Sequence, residues 1–291
     1  MTEPGMERGT QPVGEAQESV NAGRRENMKN GCVTVGETEM YYVSFGKGNK
    51  KLVALPGLSD GLATVKGKAM LLSPPYRKFL PDFTVYMFSR KNDMPDGYTI
   101  RDMAQDQVLA MRELGIDQTY LLGVSQGGMI AQYIAIDHPE MVKKLILAVT
   151  APNANAVVVD AVSRWIDMAS RGDHAALMLD TAEKMYSEAY LQKNRKALSL
   201  FAKFTKPSDY GRFLKNAYAI LNFDSRDELS EICCPTLIIA GSADHTVGSN
   251  AALELNRAIA GSKMFVYEGL GHGVFEEAKD FYDRVLDFCK E

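Results

Sequence analysis

Short, continuously apolar runs alternate with stretches whose apolar residues recur every three or four positions, and the alternation begins near residue 32. Residues 33–35 and 39–45 read as two strands around the turn Gly36-Glu37-Thr38, and residues 51–55 and 83–88 as two more. Residues 100–114 carry Ala104, Val108, Met111 and Leu114 at helical spacing. That helix opens on Thr99, three before Asp102 in a capping-box arrangement, and Gly115 closes it. A strand at 120–124, a helix at 126–136 and a strand at 144–149 follow. Strands apolar throughout and separated by helices predict parallel pairing, with the sheet covered on both faces.

The alternation then stops. Residues 151–229 hold helix-like patterns without a convincing strand, and Trp165, Met168, Phe213 and Tyr218 are among the residues that supply their apolar surface. It resumes with a strand at 235–240, a helix at 251–259, a strand at 264–267 and a last helix at 275–289. The expected fold is an α/β, mostly parallel, doubly wound sheet of eight strands, built from residues 31–150 and 230–291. The helical insertion 151–229 would form a cap over it. Residues 1–30 are rich in Gly, Glu, Gln, Asn and Arg with few large apolar groups, which predicts a mobile tail.

Composition narrows the function classes. A chain of 291 residues with 46% hydrophobic content can bury a full core as one domain carrying an insertion. A net charge of −4 and a pI near 5.7 leave no electrostatic footprint for nucleic acid or anionic lipid. No apolar run approaches the roughly 20 residues of a membrane helix. The first 30 residues lack the apolar core of a signal peptide. Cys32, Cys233, Cys234 and Cys289 have no metal-ligand spacing and read as free thiols, so a cytoplasmic protein without metal or cofactor is expected.

Candidate chemistry centres on Gly123-Val124-Ser125-Gln126-Gly127, a G-x-S-x-G string at the junction of a predicted strand and a predicted helix. That junction is the context a nucleophile elbow requires. A serine held in a strained turn needs neighbours without side chains; Gly123 and Gly127 meet this need, and Gly128 would let the helix approach the sheet. A serine hydroxyl also needs a base, and the base an orienting acid. Of four histidines, His138 reads as a helix-end residue, His174 as solvated and His245 as a loop residue. His272 lies in the glycine-rich loop after the last strand, at the sheet edge that carries Ser125, and is the candidate base. Asp244, in the loop after strand 235–240, is the candidate acid; the loop after strand 144–149 contains none. An oxyanion hole would take the backbone N–H of Gln126 and one from the loop Pro56-Gly57-Leu58, Leu58 being the best candidate; a plain turn at Pro56-Gly57 is the alternative.

Together, the elbow GVSQGG, the acid loop GSAD, the glycine-flanked His272 and the helical insertion resemble the α/β-hydrolase fold superfamily over nearly all of residues 32–291. The resemblance implies a serine hydrolase that cleaves a small ester, thioester or lactone through an acyl-enzyme. Its partner would be a small apolar or amphipathic substrate. A C–C bond hydrolase, an acyltransferase or a small-ligand receptor retaining the fold are the alternatives. Three departures are visible. Pro56-Gly57 stands where the family often has His-Gly. Ser89-Arg90-Lys91-Asn92-Asp93 replaces its Asp-x-Arg-Gly segment. Gly273 follows His272 where hydrolases of meta-ring-cleavage products often carry Trp, which weakens the C–C reading. A serine at the elbow, in place of aspartate, argues against haloalkane dehalogenase and epoxide hydrolase chemistry.

Overall fold

The computed structural model describes residues 27–204 and 206–291. Eight strands form one sheet: β1 (Met28–Val35), β2 (Thr38–Phe45), β3 (Lys50–Leu55), β4 (Phe83–Phe88), β5 (Thr119–Val124), β6 (Val142–Ala148), β7 (Thr236–Gly241) and β8 (Lys263–Tyr267), in the order β1-β2-β4-β3-β5-β6-β7-β8. β2 runs antiparallel to both of its neighbours; every other pairing is parallel. The helices are α1 (Ala69–Leu72), α2 (Ile100–Glu113), α3 (Gln126–Asp137), α4 (Ala156–Ser170), α5 (His174–Met185), α6 (Glu188–Phe204), α7 (Gly211–Leu221), α8 (Ala251–Ala258), α9 (Val274–Glu277) and α10 (Phe281–Lys290).

The period-two geometry of a strand sends successive side chains to opposite faces. Leu52 and Ala54 of β3 join Leu122, Ile146 and Ile239 in a core with Phe79, Phe281 and Val285. Val53 and Leu55 join Leu121, Leu145 and Leu147 in a second core with Met103, Val108, Ile130 and Ile134. The continuous apolar runs therefore fill two layers at once. Register aligns Leu55 with Gly123, Gly123 with Leu147, Ala148 with Ile239, and Gly241 with Tyr267. The carboxyl ends of β3, β5, β6, β7 and β8 thus share one edge. In open α/β sheets that edge is where ligands bind.

α4 to α7 all fall between β6 and β7, and among the described residues of that segment the β-structure is one isolated bridge, Asn153 to Asp224. α2 opens with the reciprocal Thr99–Asp102 capping box expected from its sequence. Three expectations need correction. β1 begins at Met28, because residues Met28–Cys32, mostly without large apolar side chains, pair along Phe45–Tyr41 of β2 as an edge strand. The rest of the expected tail, residues 1–26, lies outside the described residues. The last helix is two helices, broken where Ala278 turns extended (ψ 116°) before Asp280 opens α10. His174 is buried rather than solvated: it starts α5 behind the Asp173 cap, and its ring Nε2 lies 2.8 Å from the Ala202 carbonyl.

Candidate active site

Ser125 sits between β5 and α3 at φ 55°, ψ −120°, a positive φ that a non-glycine residue adopts at a cost of order 1–3 kcal/mol. The surroundings hold it there. Its N–H donates to the Ala148 carbonyl (2.9 Å), and its own carbonyl accepts from Gly128 N–H (2.8 Å), Met129 N–H (3.2 Å) and the Thr150 hydroxyl (2.7 Å). The three glycines are tightly packed against backbone and side-chain atoms around the serine. A Cβ on Gly123 would lie 2.5 Å from the Gly127 carbonyl oxygen, and one on Gly127 2.0 Å from that of Leu55. A Cβ on Gly128 would meet the Thr150 side chain at 2.6 Å. Val149, at the end of β6 beside the elbow, also has positive φ (44°), which is costly for a β-branched residue and went unanticipated.

Asp244 and His272 come together. The His272 ring Nδ1 lies 2.8 Å from Asp244 Oδ2, and both side chains are buried. Oδ1 of Asp244 accepts the N–H groups of Thr246 (2.8 Å) and Val247 (3.0 Å). Burial alone would raise the Asp244 pKa, but the electrostatic pull of the adjacent His272 ring, its hydrogen bond and those from the Val247 and Thr246 N–H groups outweigh it and hold the carboxyl below its usual range. The histidine loop is clamped by the inserted helices. Gly273 N–H donates to the Met185 carbonyl (2.8 Å), and a Cβ on Gly273 would fall 2.6 Å from the Tyr186 ring. Among the described residues Ser125 Oγ makes no hydrogen bond with the His272 ring; such bonds are often long before substrate binds.

Leu58 begins a 3-10 turn, Leu58–Gly61, just after β3. The preceding Gly57 lies against the candidate nucleophile: a Cβ there would be 3.3 Å from Ser125 Cβ and 3.7 Å from its Oγ. The N–H groups of Leu58 and Gln126 donate to no acceptor among the described residues. Two unpaired donors thus flank the serine.

A family model of the alpha/beta hydrolase fold matches residues 69–279. The chain belongs to the α/β-hydrolase fold family. It is 23% identical over 255 residues to a protein of Serratia proteamaculans carrying the provisional name carbamate hydrolase RutD, spanning 85% of this chain and 94% of that one. It is 26% identical over 269 residues to 2-hydroxy-6-oxononadienedioate/2-hydroxy-6-oxononatrienedioate hydrolase 2 of Pseudomonas putida, covering 87% and 92%. Among solved structures, the enol-lactonase of Burkholderia xenovorans LB400 superposes with a TM-score of 0.75 at 23% identity, covering 90% and 100%.

In this α/β hydrolase a buried charged cluster, not anticipated from the sequence, backs the elbow and the 3-10 turn. Arg90 donates from its side chain to Gln126 Oε1 (2.9 Å) and from its N–H to Asp60 Oδ2 (2.9 Å), while Gln126 Nε2 donates to the Asn216 carbonyl (2.9 Å). Arg212 of α7 pairs with Asp60 Oδ2 at 2.6 Å. Burial pulls Arg90 down to about 10, so it stays charged at neutral pH. For Asp60, burial pushes upward, but Arg212 and Arg90 win and hold the carboxyl below its ordinary value. The one hint in the sequence was the unusual segment beginning Ser89-Arg90.

A cavity of about 780 Å³ opens beside Asp244, walled by Arg164, Lys184, His245 and Glu254, but neither Ser125 nor His272 lines it. No helix among the described residues is long and apolar enough to cross a membrane.

The pH dependence of stability follows from Asp60 and Asp244. A carboxyl whose folded pKa is depressed stabilises the fold above its unfolded value, 3.8 here, and that contribution is lost as pH falls through the folded pKa. The urea midpoint should be level near neutrality and drop below about pH 4. Asp60→Asn should drop less steeply across that window. Equal acid slopes in the variant and the wild type would refute the depressed Asp60 pKa.

Proposed function

We propose that this chain is a serine hydrolase that cleaves a small carboxylic ester, thioester or lactone through an acyl-enzyme on Ser125. The observation that carries the reading is the strained Ser125 at a strand-to-helix junction, sharing the sheet's carboxyl edge with a hydrogen-bonded, buried Asp244–His272 pair. In this mechanism His272 Nε2 takes the Ser125 proton as Oγ attacks the carbonyl carbon, and Asp244 fixes the tautomer and stabilises the imidazolium. The N–H groups of Leu58 and Gln126 stabilise the oxyanion; losing one such donor typically costs about 2.7–4 kcal/mol. The proton passes from His272 to the leaving oxygen or sulfur. Water, deprotonated by the same ring, then releases the acid and restores Ser125. No step calls on a metal or cofactor.

Residues 31–150 and 230–291 would form the catalytic core. Segment 151–229 would be the cap that excludes water and shapes the pocket for an apolar or amphipathic substrate. The absence of a side chain at residue 273, whose place Tyr186 of the insertion occupies, favours ester chemistry over C–C cleavage. The test is labelling with a fluorophosphonate and turnover of short-chain nitrophenyl esters, with Ser125→Ala and His272→Ala as controls. Acyl transfer would appear as product formation that depends on an added alcohol or amine. A wild type that neither labels nor hydrolyses any ester would leave a ligand-binding role for the fold.

A further inference from the structure

The inserted helix α7 reaches both sides of the proposed oxyanion hole. On one side, the Arg212 guanidinium donates to the Asp60 carbonyl, to Asp60 Oδ2 and to the Arg90 carbonyl (2.8 Å). Asp60 belongs to the 3-10 turn that begins with Leu58. The contact is close enough to exclude a side chain from the turn: a Cβ on Gly61 would lie 2.9 Å from Phe213 Cα. On the other side, the backbone carbonyl of Asn216, one helical turn further along α7, accepts from Gln126 Nε2. Arg90 closes the circuit between Asp60 and Gln126. Asp60, Arg90, Gln126 and Asn216 are all buried; of the two guanidinium groups that pair with Asp60, Arg212 lies at 2.6 Å and Arg90 at 4.0 Å.

We propose that Arg212 is a positioning residue for the oxyanion hole: by anchoring Asp60 and the Arg90 carbonyl, it holds the Leu58 and Gln126 N–H groups at the spacing one oxyanion needs. The inference rests on the serine-hydrolase reading, and it makes seating of α7 part of catalysis rather than only a cover over the site. An oxyanion donor works because it is preorganised, so a donor that wanders loses part of the full effect of its removal. A guanidinium fork can serve three acceptors at once, which the single ammonium of lysine cannot do in the same plane.

The experiment compares wild type, Arg212→Lys, Arg212→Met and, as a control for the loss of a nearby arginine, Arg226→Met, whose exposed side chain pairs with Asp224. For a nitrophenyl ester, Arg212→Met should lower kcat about 10- to 100-fold with KM within about threefold, and Arg212→Lys should fall between. Added guanidinium ion at millimolar concentration should restore part of the Arg212→Met loss. Hydrogen exchange of the 57–63 segment, whose amides Asp60, Leu62 and Ala63 are bonded within the turn, should accelerate at least about tenfold in Arg212→Met and stay unchanged in Arg226→Met. A fall in thermal stability with unchanged kcat and unchanged exchange would overturn the proposal and leave Arg212 a structural ion-pair residue. If the wild type hydrolyses no ester, the hydrolase reading fails by itself. The exchange arm then still decides whether Arg212 holds the turn.

Discussion

Replacing Ser125 by alanine is expected to lower kcat/KM for a nitrophenyl ester by about 10⁴- to 10⁶-fold and to abolish fluorophosphonate labelling. The size follows from cooperation within the site. Without Oγ, the Asp244–His272 pair has no proton to take, and the N–H groups of Leu58 and Gln126 can assist only a direct attack by water. The same substitution should barely move thermal stability, because alanine inherits the positive φ of Ser125 and Oγ makes no hydrogen bond among the described residues. Ser125→Gly separates the two properties: it should be as inactive, yet more stable by about 1 kcal/mol as the backbone strain is relieved. Asp244→Asn should cost about 10⁴-fold in kcat, since an amide at that place favours the wrong histidine tautomer. Turnover by Ser125→Ala within a few-fold of wild type would remove Ser125 from the mechanism. The same result for Asp244→Asn would remove the acid.

What the sequence disclosed and what it hid divide along physical lines. β5, β7 and the Leu145–Ala148 part of β6 are legible because both faces of the strand are covered there, so apolar residues run almost without interruption. β1 was read too short: it is an edge strand, and the exposed Lys29 and Asn30 need only pair their backbones with β2. The C-terminal helix was read as continuous because helical apolar spacing persists through Val274, Phe281, Val285 and Phe288, while the break at Ala278 has neither Gly nor Pro to announce it. The burial of His174 has no local signature, because its ring meets groups far along the chain: the Ala202 carbonyl and the Tyr210 ring. The same contrast holds at the site. Ser125 lies within a short motif, and Asp244 and His272 each follow a strand that the pattern reveals. Arg212 reaches Asp60 across 152 positions, through a helix whose docking no local pattern encodes.

Gly127→Ala is expected to be the most destabilising single-methyl substitution in the elbow, lowering folding stability by about 3 kcal/mol or more, or preventing soluble expression. The added Cβ would sit 2.0 Å from the Leu55 carbonyl oxygen and 2.8 Å from that of Pro56. Both are backbone atoms at the end of a central strand, so neither can swing aside. Relief would require α3 to withdraw from β3 and would draw Gln126 and its N–H away from Leu58. Gly128→Ala sets the contrast. Its Cβ meets Thr150 Cβ at 2.6 Å, which no rotation of that side chain moves, but residue 150 lies beyond the end of β6 and can shift as a whole, so the stability loss should be smaller than for Gly127→Ala, about 1–3 kcal/mol. That shift would pull the Thr150 hydroxyl away from the Ser125 carbonyl, to which it donates at 2.7 Å, so the loss should also appear in kcat. Gly97→Ala is the control for backbone conformation alone, with φ +75° and no atom within 4 Å of the added carbon; it should cost about 1 kcal/mol. Urea midpoints for the three variants should rank Gly127→Ala far below the other two. If Gly127→Ala unfolded at the same midpoint as Gly97→Ala, α3 would be able to leave the sheet without penalty, and the three elbow glycines would reflect only the positive φ of the neighbouring serine.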